Sequence, residues 1–299
     1  MADERDFAII SQLRRNPFLS YESIGRGIGL SGNATKMRIE ALERAEILTS
    51  LRAMPAAQIF HRVPRLFFFG PATAEKVDKA LEKDPSVFAT MDVNGRAAVL
   101  RYVNLASSGP PEDLKSLLGP VETEENPLLP YPHRELASPI SVPQLVVLRV
   151  LVDDLRTSVK EISKATGLSQ KVVKRVRREM LEKGLFQVQP IFQSARSSRI
   201  VMYELHVRSE DDSVLLDVKQ TLPRSIFINQ WESSATIFSC WAESIDDVFE
   251  TQRRVRSRPG VSDVSVRFHA RATLNTARLT SLIDEEVRRI SPRTRSSVA

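Results

Sequence analysis

The sequence predicts an α+β fold, a tandem repeat in which a winged helix-turn-helix is followed by a ferredoxin-like βαββαβ domain. Three observations support this prediction. Two helix pairs are each separated by a glycine turn, an internal repeat relates the two pairs, and each pair precedes strand and helix patterns in the order βαββαβ. The 299 residues leave room for about two to four domains.

The clearest helix pair lies in the second half of the chain. Ser158 and Glu161 form a capping-box pattern that opens one helix, and Gly167 suits the left-handed position that ends it. Ser169 is a good N-cap for the next helix, predicted over 169–185. Its apolar positions recur at helical spacing: Val172, Val173, Val176 and Met180. Its remaining surface is cationic: Lys171, Lys174, Arg175 and Arg178.

A helix with one apolar and one cationic face is what a reader of the DNA major groove needs. The apolar face packs on the domain, and the cations meet phosphates and guanine edges. A solvated surface helix with a run of charge is the alternative for this helix taken alone. The preceding helix and glycine turn favour the helix-turn-helix interpretation.

The same unit occurs earlier in the chain. Adding 138 to a residue number takes Ile24 to Ile162, Gly29 to Gly167 and Ser31 to Ser169 without a gap, which predicts an internal duplication. In this copy Ser31 caps the third helix. The polar residues near its exposed start are Asn33, Lys36 and Arg38.

The first unit resembles the DNA-binding domain of the Lrp/AsnC transcription regulators. The resemblance is carried by D-x-x-I-I-x-x-L from Asp6, L-S-Y-x-x-I-x-x-x-I-G-L-S from Leu19 and R-I-x-x-L-E-x-x-x-I from Arg38. The second unit departs from this pattern, with Val176 and Arg177 where the first has Arg and Ile. The resemblance implies a ferredoxin-like domain after the DNA-binding unit, which in the family mediates dimerisation and often binds an amino-acid effector.

The order of elements divides the chain into six segments. Each half has a wing after its helices, at 51–60 and 186–198, and then a βαββαβ pattern that closes with strands at 121–124 and 261–268. Four prolines mark the intervening linker. The predicted segments are winged helix-turn-helix units at 1–60 and 141–198, ferredoxin-like domains at 61–124 and 199–274, a linker at 125–140, and a C-terminal helix with a basic tail at 275–299.

Composition restricts the class of protein. The formal charge of +6 and pI of about 9.6 favour polyanionic partners. No apolar run reaches the length of a membrane span, and the start of the chain does not resemble a signal peptide, so we expect a cytoplasmic protein with no membrane partner. The single cysteine, Cys240, is expected to be a core residue.

These observations predict a regulator that binds double-stranded DNA through two unequal helices. The predicted DNA-binding residues are Ser31, Asn33, Lys36, Arg38, Ser169, Lys171, Lys174, Arg175 and Arg178. The chain would act as a homodimer or as an intramolecular pseudo-dimer. Whether a small-molecule effector binds stays open, because in neither predicted βαββαβ domain does the turn between the second and third strands match the Gly-x-x-Asp-like turn of ligand-binding family members.

Two other functions compete with this prediction. Sirohaem decarboxylases resemble the same two-domain plan and would need histidines and arginines around a tetrapyrrole pocket. The histidines here are scattered, without metal-ligand spacing, so the sequence predicts no enzyme, no cofactor and no metal site. The third reading is a protein-interaction scaffold, because acidic residues follow the cations of the first recognition helix.

Overall fold

The structure of the chain is a computed structural model. It describes residues 3–45, 47–83, 86–104, 112–125, 127–128, 139–192, 200–209, 211–222, 224–231 and 235–291. Within these residues helices and strands alternate in the predicted α+β order. The first half consists of α1 (Glu4–Arg15), α2 (Tyr21–Ile28), α3 (Gly32–Arg44), β1 (Leu48–Pro55), the 3-10 helix η1 (Ala57–Phe60), β2 (Val63–Pro71), α4 (Ala74–Lys83), β3 (Ser86–Asp92), β4 (Arg96–Val103), α5 (Glu112–Leu118), β5 (Val121–Glu125) and β6 (Pro127–Leu128).

The second half follows the same order of elements and ends in an additional helix. It consists of α6 (Val142–Asp153), α7 (Val159–Thr166), α8 (Gln170–Glu182), β7 (Phe186–Phe192), β8 (Val201–Ser209), α9 (Asp212–Gln220), β9 (Ser225–Trp231), β10 (Ala235–Ala242), α10 (Ile245–Arg256), β11 (Val261–Leu274) and α11 (Thr276–Ile290). The first three helices of each half have 12, 8 and 13 residues.

The two βαββαβ segments form one continuous sheet. Its nine strands run in the order β5-β2-β4-β3-β11-β8-β10-β9-β6. The strand orders β5-β2-β4-β3 and β11-β8-β10-β9 are each the antiparallel order of a ferredoxin-like sheet. The helices of each domain cover a separate apolar cluster. The predicted fold class, helix-turn-helix units with ferredoxin-like domains, is therefore confirmed.

The seam between the two sheets was not predicted. The closing strand, expected at 261–268, continues to Leu274, and its second part pairs with β3. The first part pairs with β8 in its own domain. One long strand thus belongs to both sheets, which joins the halves through backbone hydrogen bonds.

This sheet is strongly curved. Arg267 on β11 lies over the ring of Phe68 on β2, with 4.4 Å between the guanidinium carbon and the ring centroid. These strands are three places apart in the sheet, which would be roughly 14 Å if it were flat. The short strand β6 pairs with β9 at one end and also contacts β2 near the other. The two sheet halves therefore face each other across an interior.

The helix-turn-helix units are joined by a two-stranded sheet. Strand β1 pairs antiparallel with β7, with Leu51 opposite Pro190 and Ala53 opposite Val188. The wing predicted over 51–60 as a local hairpin is wrong in its pairing, because β1 is a single strand and residues 57–60 turn into η1. The apolar residues of η1 are buried, which holds this segment in the core instead of in a second wing strand. The turn predicted at 194–198 lies outside the described residues.

Helix α11 closes the fold, and most of the predicted linker is not described. Helix α11 packs on α6 and also contacts η1 and β3. Three of its residues, Leu279, Leu282 and Ile283, are buried. Of the linker expected at 125–140, residues 126 and 129–138 are outside the described part of the chain, and β6 shows that its start is a strand. The basic tail after residue 291 is also outside it.

Tyr102 ties the first sheet to the strand pair between the units. Its hydroxyl is buried and donates a 2.5 Å hydrogen bond to the carbonyl oxygen of Pro55 at the end of β1. We expect Tyr102→Phe to lower the free energy of unfolding by about 1–2 kcal/mol, because the carbonyl loses its buried partner. Chemical denaturation followed by tryptophan fluorescence would measure this change. Tyr21→Phe is the matched control, and an equal loss there would contradict the assigned role.

Candidate nucleic-acid interface

Each recognition helix begins at a serine that satisfies a free backbone amide. Ser31 accepts a hydrogen bond from the backbone N–H of Ala34, and Ser169 accepts one from that of Val172. The preceding helices end at Gly29 and Gly167 with φ of 71° and 72°, the left-handed region that glycine adopts without strain. The predicted caps and turns are therefore confirmed, and they set the start of α3 and α8.

The buried face of each helix is apolar in the predicted way. In α8 the buried residues are Val173, Val176 and Met180, and in α3 they are Thr35, Ile39 and Leu42. Thr35 also bonds the carbonyl oxygen of Ser31 through its hydroxyl. Packing of this face leaves the opposite face of each helix exposed to solvent.

The exposed faces of the two helices have equivalent positions but different side chains. On α8 this face carries Lys171, Lys174, Arg175, Arg178 and Glu182. On α3 the equivalent positions carry Asn33, Lys36, Met37, Glu40 and Arg44. We call these two sets the α8 stripe and the α3 stripe. Four of the five side chains in the α8 stripe are cationic, against two in the α3 stripe.

Ion pairs within the helices reduce these charges unequally. Lys36 pairs with Glu40 at 3.6 Å in the α3 stripe. In α8, Arg175 lies 3.5 Å from Glu179 and Arg178 lies 3.7 Å from Glu182. Lys171 and Lys174 form no ion pair with any residue that the structure describes. The α8 stripe therefore keeps the larger positive charge.

Arg38 was expected to contact DNA, but its side chain is bound to carboxylates of the first unit. Its guanidinium turns away from the α3 stripe and donates hydrogen bonds of 2.8 Å to Asp3 and 3.0 Å to Asp6, at the start of α1. Although partial burial opposes it, hydrogen bonding from Arg38 and from backbone amides holds the pKa of Asp3 below its usual value. Arg38 stabilises the first unit from this position, so we remove it from the proposed interface.

The loop between α1 and α2 fastens the first unit to the second. Arg156 donates hydrogen bonds to the carbonyl oxygens of Pro17 and Leu19. Arg177, on the inner side of α8, stacks on Phe18 at 3.8 Å, and its burial together with the charge of Arg156 lowers its pKa to about 10. These contacts explain why the second unit has Arg at position 177, where the first unit has Ile.

A second group of polar side chains lies inside the curved sheet. Register places Glu204 on β8 between Ser239 on β10 and Arg267 on β11. His206 is next along the same face, with its Nε2 3.1 Å from Glu204 and both side chains about 15% exposed. Sequence reasoning missed this group because its members come from three strands that are distant in the chain.

A cavity of about 190 Å³ lies on the helix side of the second ferredoxin-like domain. Cys240 lines it and is buried, which confirms its prediction as a core residue, and this burial raises its thiol pKa to about 12. Trp241 forms another wall and stacks on Phe7 of α1, with 4.3 Å between ring centroids. Arg224, over the Trp241 ring, also bonds Glu4 at 3.1 Å.

The described residues give no sign of a metal site or of a membrane-spanning helix. Among the described residues, no group of three or more His, Cys, Asp and Glu side chains is placed to hold a metal ion. None of the described helices is long and apolar enough to cross a membrane. His133 lies outside the described residues, and His61 directly follows η1, far in the chain from His206.

Comparison with known sequences identifies the first unit. Residues 3–49 match a sequence family described as winged helix-turn-helix DNA-binding, so the chain begins with a domain of that type. No curated protein has a sequence that matches the chain significantly.

Among the solved structures that resemble this chain, one kind matches nearly its whole length and the other matches less than half of it. The siroheme decarboxylase NirDL matches 96% of this chain and 99% of its own, with 10% identity and a TM-score of 0.51. An AsnC family transcriptional regulator from Agrobacterium tumefaciens matches over 43% of this chain and 89% of its own, with 17% identity and a TM-score of 0.33. E. coli AsnC matches over 42% and 89%, with 18% identity and a TM-score of 0.28.

The likeness to NirDL corrects one prediction. The expectation that the chain is not an enzyme is contradicted, because a solved structure that matches nearly its whole length belongs to an enzyme. At 10% identity this likeness shows a shared fold and no more. The histidines form no local metal-ligand motif, and Ser239 and Arg267 reach the Glu204–His206 pair only through strand pairing, which the sequence does not reveal.

The revised position of Arg38 can be tested by stability. We expect Arg38→Met to lower the free energy of unfolding by about 1–3 kcal/mol at neutral pH, because the buried carboxylate of Asp6 loses its partner. The Asp3 pKa is lowered on folding, so stability from this pair is present at neutral pH and is lost as the pH falls through that pKa. The deficit should therefore shrink below about pH 4.

Lys36→Met is the matched control for this measurement. Its pair with Glu40 is exposed, so we expect a loss of about 0–1 kcal/mol. Equal losses for the two variants in chemical denaturation would contradict the structural role of Arg38.

Proposed function

We propose that this chain is a DNA-binding transcription regulator that contacts duplex DNA with both α3 and α8. The single observation that carries the proposal is the α8 stripe, in which Lys171, Lys174, Arg175 and Arg178 share one exposed face of a capped helix. The first unit, whose sequence matches a DNA-binding family, presents α3 in the equivalent position. Cations on an exposed recognition helix attract the phosphate backbone and release its counterions.

The remaining predicted residues have defined roles in this proposal. Lys171, Lys174 and Arg175 lie in the first turns of α8, where recognition helices contact base edges and phosphates. Lys36 lies in α3 at the position equivalent to Lys174, and Arg178 reaches the backbone from farther along α8. Ser31 and Ser169 hold the helix N-termini, whose free amides favour phosphate. Asn33 contacts a base edge.

The two halves act in this proposal as an intramolecular pseudo-dimer that arose by internal duplication. Equal helix lengths in both units and the constant spacing of 138 residues support the duplication. The pairing of β1 with β7 supports the pseudo-dimer, because it places the two units against each other within one chain. The division of the chain into six segments, as predicted from the sequence, is also part of this proposal. One chain would then occupy one DNA site, without a second copy.

Charge reversal on α8 tests the proposal. We expect Lys171→Glu with Lys174→Glu to weaken binding to duplex DNA by about 100-fold or more, because two phosphate contacts become repulsive. Neutral Gln replacements should each make the dependence of log K on log salt shallower by about one unit. Fluorescence anisotropy across a salt series would measure both, and its stoichiometry would show whether one chain fills one site.

The control carries the same charge change at a different surface. Lys76→Glu with Lys79→Glu lies on α4 of the first ferredoxin-like domain, away from both recognition helices. Equal loss in the control would mean that overall charge governs binding. Full binding by the α8 variant would contradict the proposal.

A second candidate function is the decarboxylation of a porphyrin-type substrate, the activity named for NirDL. What favours it in this chain is the polar group inside the curved sheet. Arg267 would bind a substrate carboxylate. His206, oriented by Glu204, would deliver the proton that replaces the carboxylate when the C–C bond breaks and CO₂ leaves.

Binding of an iron porphyrin with carboxylate side chains tests this candidate. We expect the Soret band to shift on addition of wild-type protein. His206→Gln and Arg267→Gln should each weaken binding by about tenfold or more, because they remove contacts to charged groups. The control His61→Gln, at the residue that follows η1, should bind as wild type does. No spectral change with wild-type protein would reject this candidate.

A further inference from the structure

The α3 stripe has a chemistry that the α8 stripe lacks. Met37 is 58% exposed, and of the large hydrophobic side chains that are exposed in the described structure it is the one on a recognition helix. The others are Val93, Leu216, Ile245 and Phe249. The equivalent position on α8 is Arg175. If the α3 stripe contacts DNA as proposed, the side chain of Met37 in its centre would be matched best by an apolar group in the major groove.

We propose that α3 selects A·T base pairs, with Met37 against the thymine methyl group and Asn33 on adenine, while α8 supplies most of the affinity. This inference rests on the proposed DNA-binding function and extends it by naming the bases that one half of the site contains. The 5-methyl group of thymine is the apolar group of the major groove, and the amide of asparagine matches adenine N6 and N7.

The geometry of the pair suits this division. Asn33 and Met37 are one helical turn apart, and the Nδ2 of Asn33 lies 3.9 Å from the Sδ of Met37. The thioether is a weak hydrogen-bond acceptor, so adenine readily displaces this contact. Asn33 is also the second residue of α3, near the N-terminus from which recognition helices reach base edges. The two side chains can therefore read one base pair or two neighbouring pairs.

The ion pairs of α3 explain why this helix would contribute more to base selection than to the overall affinity for DNA. Lys36 is paired with Glu40 and Arg38 is held by Asp3 and Asp6, so among the described residues Arg44, in the last turn, is the α3 cation that has no ion pair. A helix that adds little nonspecific attraction gains most of its binding from base contacts. On α8 the exposed side chains of Lys171, Lys174, Arg175 and Arg178 are cationic and attract any sequence through its backbone.

The test compares the affinity of the protein for three short DNA duplexes, which consist of alternating adenine–thymine, adenine–uracil and guanine–cytosine base pairs. Uracil lacks the methyl group and otherwise presents the same major-groove hydrogen-bonding edge. We expect wild-type protein to bind the thymine duplex about fourfold more tightly than the uracil duplex, the factor given by one buried methyl group. Met37→Ala should reduce this ratio to about one, and Met37→Leu should retain most of it.

Two further variants separate the roles. Asn33→Ala should reduce the preference for adenine–thymine over guanine–cytosine to the part that the methyl contact of Met37 supplies, and should keep the preference for thymine over uracil. Arg175→Ala, at the position equivalent to Met37, should weaken binding to all three duplexes and leave the thymine-to-uracil ratio unchanged. Met37, Asn33 and Arg175 are exposed, so these variants are expected to fold.

Each failure has a distinct meaning. Absence of binding to every duplex at low salt would overturn the proposed DNA-binding function itself. Tight binding with equal affinity for thymine and uracil would overturn the present inference and leave DNA binding intact. A thymine preference that survives Met37→Ala would also overturn it, because another side chain would then contact the methyl group.

Discussion

The antiparallel pairing of β1 with β7 is the interaction on which the rest of the structure depends. It joins two helix-turn-helix units that are more than a hundred residues apart in the chain, and its backbone hydrogen bonds fix their relative orientation. Leu155 adds a backbone bond to Leu51, and the arginines at 156 and 177 hold the loop after α1. Through this pairing, α3 and α8 are presented at a set spacing by a single chain.

A single chain can carry different side chains on its two recognition helices, whereas a symmetric homodimer cannot. In a homodimer with two-fold symmetry both recognition helices have the same side chains, so each substitution appears twice. Here the same backbone position carries Met37 in one unit and Arg175 in the other, or Glu40 and Arg178. The caps and turn glycines that set the helix positions are the same in both units, whereas the side chains of the exposed stripes differ. The two units are therefore alike where side chains fix the backbone and different on the exposed faces of the helices.

Sequence reasoning succeeded for local features and failed for contacts between distant residues. The caps, the turn glycines and the buried stripes follow from side chains within a few residues of one another, so α7 and α8 could be predicted closely. The extension of β11 to Leu274 depends on β3, which lies in the other half of the chain. Arg38 similarly finds its carboxylates on α1, and no local pattern marks that pairing.

The two candidate functions use different parts of this molecule. DNA would meet the exposed stripes of α3 and α8, whereas a porphyrin would meet Arg267 and His206 inside the curved sheet. The stacking of Phe7 on Trp241 connects these regions, because α1 supports α3 and Trp241 belongs to the same strand as Ser239 beside Glu204. Because the sites do not overlap, occupation of one leaves the other accessible, and the separate variants on α8 and on β8 can distinguish a regulator, an enzyme and a chain that combines both.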